Sequence, residues 1–174
     1  MLAHGKNFIL IDLARSMIID VIVASTSRFK RYGAVSNPEQ AEDLSGQTIL
    51  ELIKQRGFMA RYQLLSDGIE PIRSAAQRSD ADAVIICGGT GLTCMDLTIE
   101  AVEPLFGKTL PGFGEIFRTL SLKEVGTRAM LTRAEAGICQ GKPVFCLPGS
   151  PNAARLGTEL ILAEIEHVLQ HIVE

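Results

Sequence analysis

Residues 87 to 100, CGGTGLTCMDLTIE, place three glycines, three threonines and two carboxylates in fourteen positions, directly after the apolar run 83 to 86. Gly88, Gly89 and Gly91 accept backbone conformations that side chains forbid, so several N–H groups can converge on an anion, with the Thr90 hydroxyl beside them. Phosphate is the natural guest. A tight turn explains the same glycines without any ligand. The segment has neither the G-x-x-x-x-G-K-[ST] of a P-loop nor the G-x-G-x-x-G of a dinucleotide site.

Asp96 stands just before an expected helix and reads in two ways. It can cap the helix, with Glu100 one turn later favouring the helix dipole. It can also hold Mg²⁺ through water beside a nucleotide phosphate, helped by Asp67 or Asp43, since Mg²⁺ takes few carboxylates and keeps its waters. Ser25, Thr26 and Ser27 follow a strand and precede the basic cluster Arg28, Lys30, Arg31, which is either a solvated loop or a contact for an acidic substrate. His167 and His171 are spaced i, i+4, but nothing nominates a third metal ligand, so they read as a solvated helix face.

These residues need elements to position them. Residues 18 to 25 form a β-branched run suited to a central strand, with further strands near 58 to 65, 83 to 86, 132 to 139 and 143 to 147. Gln140-Gly141 reads as the turn between the last two. Helices are expected after Ser45 up to Gly57, over 69 to 79, over 97 to 106 with Pro104 weakening its end, over 113 to 122, and from Pro151 onward. Ser150 is a good N-cap for the last helix, with Pro151 at its first position. The stretch TSRFKRYGAVSNPEQAEDL shows no periodicity and is expected to be a long surface loop. Strands alternating with helices predict an α/β fold with a parallel sheet, whose ligands sit beyond the carboxyl ends of the strands.

The 174 residues, 47% of them hydrophobic, suffice for one domain with a sizeable core. Residues 1 to 16 read as an N-terminal extension before a single domain over 17 to 174. A formal charge of −3 and the absence of tryptophan give neither a basic field for duplex nucleic acid nor a stacking platform for single strands. No stretch approaches the roughly 20 apolar residues of a membrane span. The four cysteines, Cys87, Cys94, Cys139 and Cys146, lack C-x-x-C spacing and read as reduced core thiols of a cytoplasmic protein, with a Cys87–Cys94 clip or a metal site with histidine as the alternatives.

Four stretches in order, GGTGLTCMDLTIEAVEPLF, PGFGEIFRTLS, TRAEAG and LPGSPNA, resemble the MoaB/MogA family of molybdenum cofactor biosynthesis, the molybdopterin adenylyltransferases. STSR and, further on, DLSG (Asp43 to Gly46) resemble its MoaB branch. The resemblance implies a three-layer sandwich with a mostly parallel central sheet and helices on both faces. It also implies a homotrimer or homohexamer, contact with other molybdenum cofactor biosynthesis proteins, and transfer of AMP from Mg-ATP to molybdopterin. On this analogy Gly88, Gly89, Thr90 and Gly91 hold nucleotide phosphate, Gly149 and Ser150 belong to a second loop lining the same pocket, Asp96, Thr90 and Asp67 serve catalysis, and Asp96 and Asp67 hold Mg²⁺. Ser25, Thr26, Ser27, Arg28, Asp43, Ser45 and Gly46 fall to the substrate. One departure is Met95, where the family often has arginine; Arg28, Lys30 and Arg118 are candidates to replace it. A non-catalytic molybdopterin-binding protein and a nucleotide pyrophosphatase-like hydrolase are the alternatives.

Overall fold

The structure is a computed structural model that describes residues 16 to 173, without the side chain of Val173. All of the expected N-terminal extension but Ser16 lies outside the described residues. Six strands form one sheet in the order β2 (Met59–Leu65), β1 (Ile18–Ala24), β3 (Ala83–Cys87), β6 (Lys142–Leu147), β5 (Glu135–Cys139), β4 (Lys108–Thr109). The first four are mutually parallel, and β5 pairs antiparallel with both β6 and β4.

Both faces of the sheet are covered, which explains why the central strands read as continuous apolar runs rather than alternating ones. Along β1, Ile19, Val21 and Val23 enter one core with Leu64, Ile85, Phe145 and Leu147. Helices α2 (Leu44–Gln55), α5 (Pro111–Val125) and α6 (Pro151–Val173) close that side with Ile49, Ile53, Phe117, Ile161 and Ile165. Ile22 and Ala24 point the other way, with Val84, Ile86, Val144 and Cys146, onto α3 (Ile69–Arg78) and α4 (Thr98–Val102). The three-layer expectation and the mostly parallel sheet are met.

Local signals act as expected at several ends. The N–H of Ala153 donates to Ser150 Oγ at 3.3 Å, so Ser150 caps α6. Gln140 and Gly141 both have positive φ, 51° and 76°, as a two-residue hairpin turn requires. Pro104 falls in a 3₁₀ turn, Glu103–Leu105, that ends the shortened α4.

Two expectations are corrected. The supposed long loop contains α1 (Thr26–Tyr32) and a 3₁₀ turn over Pro38–Ala41. None of the α1 residues is fully buried, so the helix leaves no apolar stripe in the sequence; caps at both ends define it instead. Cys94 is exposed in the glycine segment, while Cys87, Cys139 and Cys146 are buried; all four are free thiols.

Candidate functional site

From β1 the chain crosses to β2 on one side and later returns to β3 on the other, so connections diverge between the carboxyl ends of β1 and β3. A crevice at such a switch point is where open α/β sheets take ligands. Here it is a cavity of about 480 Å³. Its walls include Ser25 to Arg28 after β1, Asp67 after β2, Gly88 to Gly91 and Asp96 after β3, and Pro148 and Gly149 after β6. Asp43, Leu131 and Thr132 also line it. Residues separated by more than a hundred positions thus share one wall.

The glycine turn is built to present its amides. Gly88 and Gly89 have φ of 100° and 62°, and a Cβ on Gly88 would sit 2.3 Å from the Ala24 carbonyl oxygen. Thr98 holds two successive carbonyls: its hydroxyl donates to Gly88 O at 2.8 Å and its N–H to Gly89 O at 2.9 Å. Because N–H and C=O point in opposite directions across a trans peptide, the amides of Gly89 and Thr90 turn away from Thr98. Neither donates to a protein acceptor among the described residues, and both residues line the cavity. The remaining two amides are committed. Gly88 donates to Leu147 O at 3.0 Å, and Gly91 faces the Asp96 carboxylate.

Asp96 folds this loop onto itself. Its Oδ2 accepts from the Thr93 hydroxyl at 2.6 Å and the Thr93 N–H at 2.9 Å. The Thr93 hydroxyl, the amides of Thr93 and Gly91 and the nearby Arg133 hold its carboxyl below the usual carboxylate range, against partial burial. It is therefore anionic at neutral pH.

Asp67 reaches across from β2 to α1, its Oδ2 accepting from both the N–H and the hydroxyl of Thr26 at 2.7 Å. It thus supplies the start of α1 with a cap from outside the helix. Its Oδ1 accepts no hydrogen bond among the described residues and lies on the Gly89 side of the cavity.

Asp43 is fully buried at the N-cap position of α2, yet makes no capping bond to its own helix. Oδ2 accepts from the Tyr62 hydroxyl at 2.8 Å, and Oδ1 has no hydrogen-bond partner among the described residues. Burial, then the Asp43 charge, pushes the Tyr62 phenol far up, so Tyr62 remains a neutral donor. A buried carboxylate oxygen without a donor is costly, and Asp43 is among the residues that line the cavity. Gly46 permits this arrangement, since a Cβ there would lie 2.5 Å from Asp43 Oδ2 and 2.6 Å from the Tyr62 ring. Gly46→Ala is expected to destabilise the fold by about 1–3 kcal/mol through this overpacking. A urea midpoint equal to wild type would contradict it.

Other expected residues stand behind the wall. Ser45 Oγ donates to Gly149 O at 2.8 Å, tying α2 to the second loop, and Ser150 caps α6 without lining the cavity. Among the candidate replacements for the arginine absent at Met95, Arg28 lines the cavity, Lys30 does not, and Arg118 donates to Ala134 O at 3.3 Å. Met95 itself is exposed. His167 and His171 meet edge to face, their ring centroids 4.5 Å apart, and no group of three or more metal-ligating side chains occurs among the described residues.

Arg133 is a further residue of the site that the sequence does not single out. Its Nε donates to Thr90 O at 3.2 Å, Nη2 to Asp96 O at 3.0 Å, and Nη1 to Glu100 at 2.6 Å. The one sequence signal was its place in TRAEAG.

Fold and crevice together define an α/β domain with main-chain donors and acidic side chains around one cavity at the carboxyl ends of its parallel strands. A family model described as "Probable molybdopterin binding domain" matches residues 20 to 167, and the chain belongs to that family, the MoaB/MogA proteins. It is 43% identical over 139 residues to molybdenum cofactor biosynthesis protein B of Halalkalibacterium halodurans, covering 76% of this chain and 82% of that one. Identity to the molybdopterin adenylyltransferase of Pyrococcus furiosus is 44%, with the same coverage. The crystal structure of the tungsten cofactor synthesizing protein MoaB from Pyrococcus furiosus superposes with a TM-score of 0.80 at 39% identity, over 92% of this chain and 99% of that one.

Proposed function

We propose that the protein acts in molybdenum cofactor biosynthesis by transferring AMP from ATP to the terminal phosphate of molybdopterin, with residues 17 to 174 as the molybdopterin-binding unit. The observation that carries this reading is the pair of uncommitted amides, Gly89 and Thr90, in the crevice between β1 and β3. A phosphate oxygen of molybdopterin attacks the α-phosphorus of ATP; one P–O bond forms there, and the bond to the bridging oxygen breaks, releasing pyrophosphate with its electron pair. No nucleophilic side chain is required. Alignment and neutralisation of charge on the phosphate oxygens do the work.

The Gly89 and Thr90 amides hold the nucleotide phosphate, next to the Pro148–Gly149 segment that leads into the 23-residue α6. Arg28 supplies a cation to the phosphates. Asp43 Oδ1 accepts from the N–H edge of the pterin, whose amino and ring N–H groups match a lone carboxylate oxygen. Asp67 and Asp96 suit Mg²⁺, which needs only a carboxylate or two when waters and phosphates fill its other positions. When bound with ATP, Mg²⁺ would neutralise phosphate charge.

The same reading puts the protein in the cytoplasm, without nucleic acid or membrane partners. No described helix is long and apolar enough to cross a membrane. The exposed side chains Ile116, Leu122 and Val125 of α5, with Met130 and Leu131 beyond it, fit burial in a homotrimer or homohexamer. Light scattering tests this.

Incubation with molybdopterin, ATP and Mg²⁺ tests the reaction. AMP attached to the pterin is the expected product. Tight pterin binding without turnover would replace the enzyme with a carrier, the reading that Met95 favours; cleavage of a dinucleotide without pterin would replace it with a hydrolase.

A further inference from the structure

We propose that Arg133 is a positioning residue of the nucleotide site, its guanidinium setting the Thr90–Gly91 peptide and the main chain of Asp96. The inference rests on the nucleotide reading of the crevice. Arg133 does not line the cavity, so it acts through the loop rather than on the ligand.

The geometry is that of a clamp. The carbonyls of Gly88 and Gly89 are held by Thr98, and that of Thr90, next in line, by Arg133 Nε. Fixing the Thr90 carbonyl directs the N–H of Gly91 on the other side of the same peptide, and this amide faces the Asp96 carboxylate. Nη2 meanwhile grips the Asp96 carbonyl, so one planar group fastens both ends of the six-residue span from Gly91 to Asp96. Glu100, in the first turn of α4, pairs with Nη1 at 2.6 Å and Nη2 at 3.3 Å, aiming the fork at the two carbonyls. Arginine suits this task because its donors are spaced in a rigid plane; a lysine ammonium is a single point and cannot serve two separated carbonyls with fixed geometry.

The clamp also bears on Met95. A cation beside Asp96, which Met95 cannot supply, arrives from Arg133, 37 positions further along the chain. The role is not one of general stability, since neither apolar core contains Arg133 and its side chain remains 29% exposed.

The test compares the full chain with Arg133→Ala, Arg133→Lys and Glu100→Gln. Adenylylation kinetics, thermal midpoint and amide hydrogen exchange over residues 88 to 97 are measured for each. Arg133→Ala is expected to lower kcat by about 10–100-fold while remaining folded at the assay temperature, with faster exchange confined to that segment. Arg133→Lys should not restore the rate. Glu100→Gln should stay within about fivefold of wild type, because Arg133 keeps both carbonyl bonds.

Wild-type kcat in Arg133→Ala, full rescue by lysine, or a loss matched by global unfolding would each overturn the clamp. Absence of turnover in the wild type would instead count against the adenylyltransferase reading. Local exchange in Arg133→Ala then decides alone: acceleration at 88 to 97 supports the clamp, and no change refutes it.

Discussion

Asp96→Asn is expected to lower adenylylation by about 10²-fold or more while leaving the sheet intact. The substitution keeps the shape and one acceptor oxygen, so a hydrogen bond from Thr93 survives. What disappears is a negative charge that its own loop is arranged to maintain, through the Thr93 hydroxyl, two amides and Arg133. A residue that only capped the loop would tolerate the amide, since asparagine caps about as well as aspartate. Loss of turnover with an unchanged thermal midpoint therefore separates a role in phosphate and Mg²⁺ chemistry from a role in folding. Wild-type turnover in the variant would remove Asp96 from the mechanism.

Gly89→Val is expected to weaken ATP binding by at least about tenfold. Two effects combine at this position. A β-branched residue at φ of 62° is strained, and its Cβ would sit 2.4 Å from Thr98 Oγ1 and 3.2 Å from Asp67 Oδ1. Relief requires breaking the Thr98 grip on the Gly88 carbonyl, and with it the orientation of the Gly89 amide. Gly141→Val provides the control, having positive φ of 76° in the β5–β6 hairpin with nothing within 4 Å of an added Cβ. It should lose stability yet keep its ATP affinity. Equal affinity in Gly89→Val and wild type, measured by calorimetry, would contradict the cradle.

Much of this was legible in the sequence, and the exceptions share a cause. The parallel strands announced themselves because burial on both faces makes apolar runs, and Ser150-Pro151 marked the start of α6 and Gln140-Gly141 the β5–β6 turn by conformational demands read one residue at a time. Helix α1 escaped because capping by Ser25 and by the distant Asp67 defines it, with no buried stripe. The two-residue β4 is too short to show a period.

The acidic candidates converged on one crevice, but their separate duties did not follow from spacing. Asp67 is tied to Thr26 through a contact 41 positions away, and Asp43 has one oxygen held by Tyr62 while the other has no partner among the described residues. Arg133 was invisible for a related reason: two of its three partners are main-chain carbonyls, which carry no residue identity. Sequence pattern exposes periodic burial well, and contacts between side chains and a remote backbone poorly.

The most direct test is a crystal structure of the protein with bound ATP. The account predicts phosphate oxygens within about 3 Å of the main-chain nitrogens of both Gly89 and Thr90. Nucleotide density elsewhere, with those two amides turned toward protein acceptors, would contradict it.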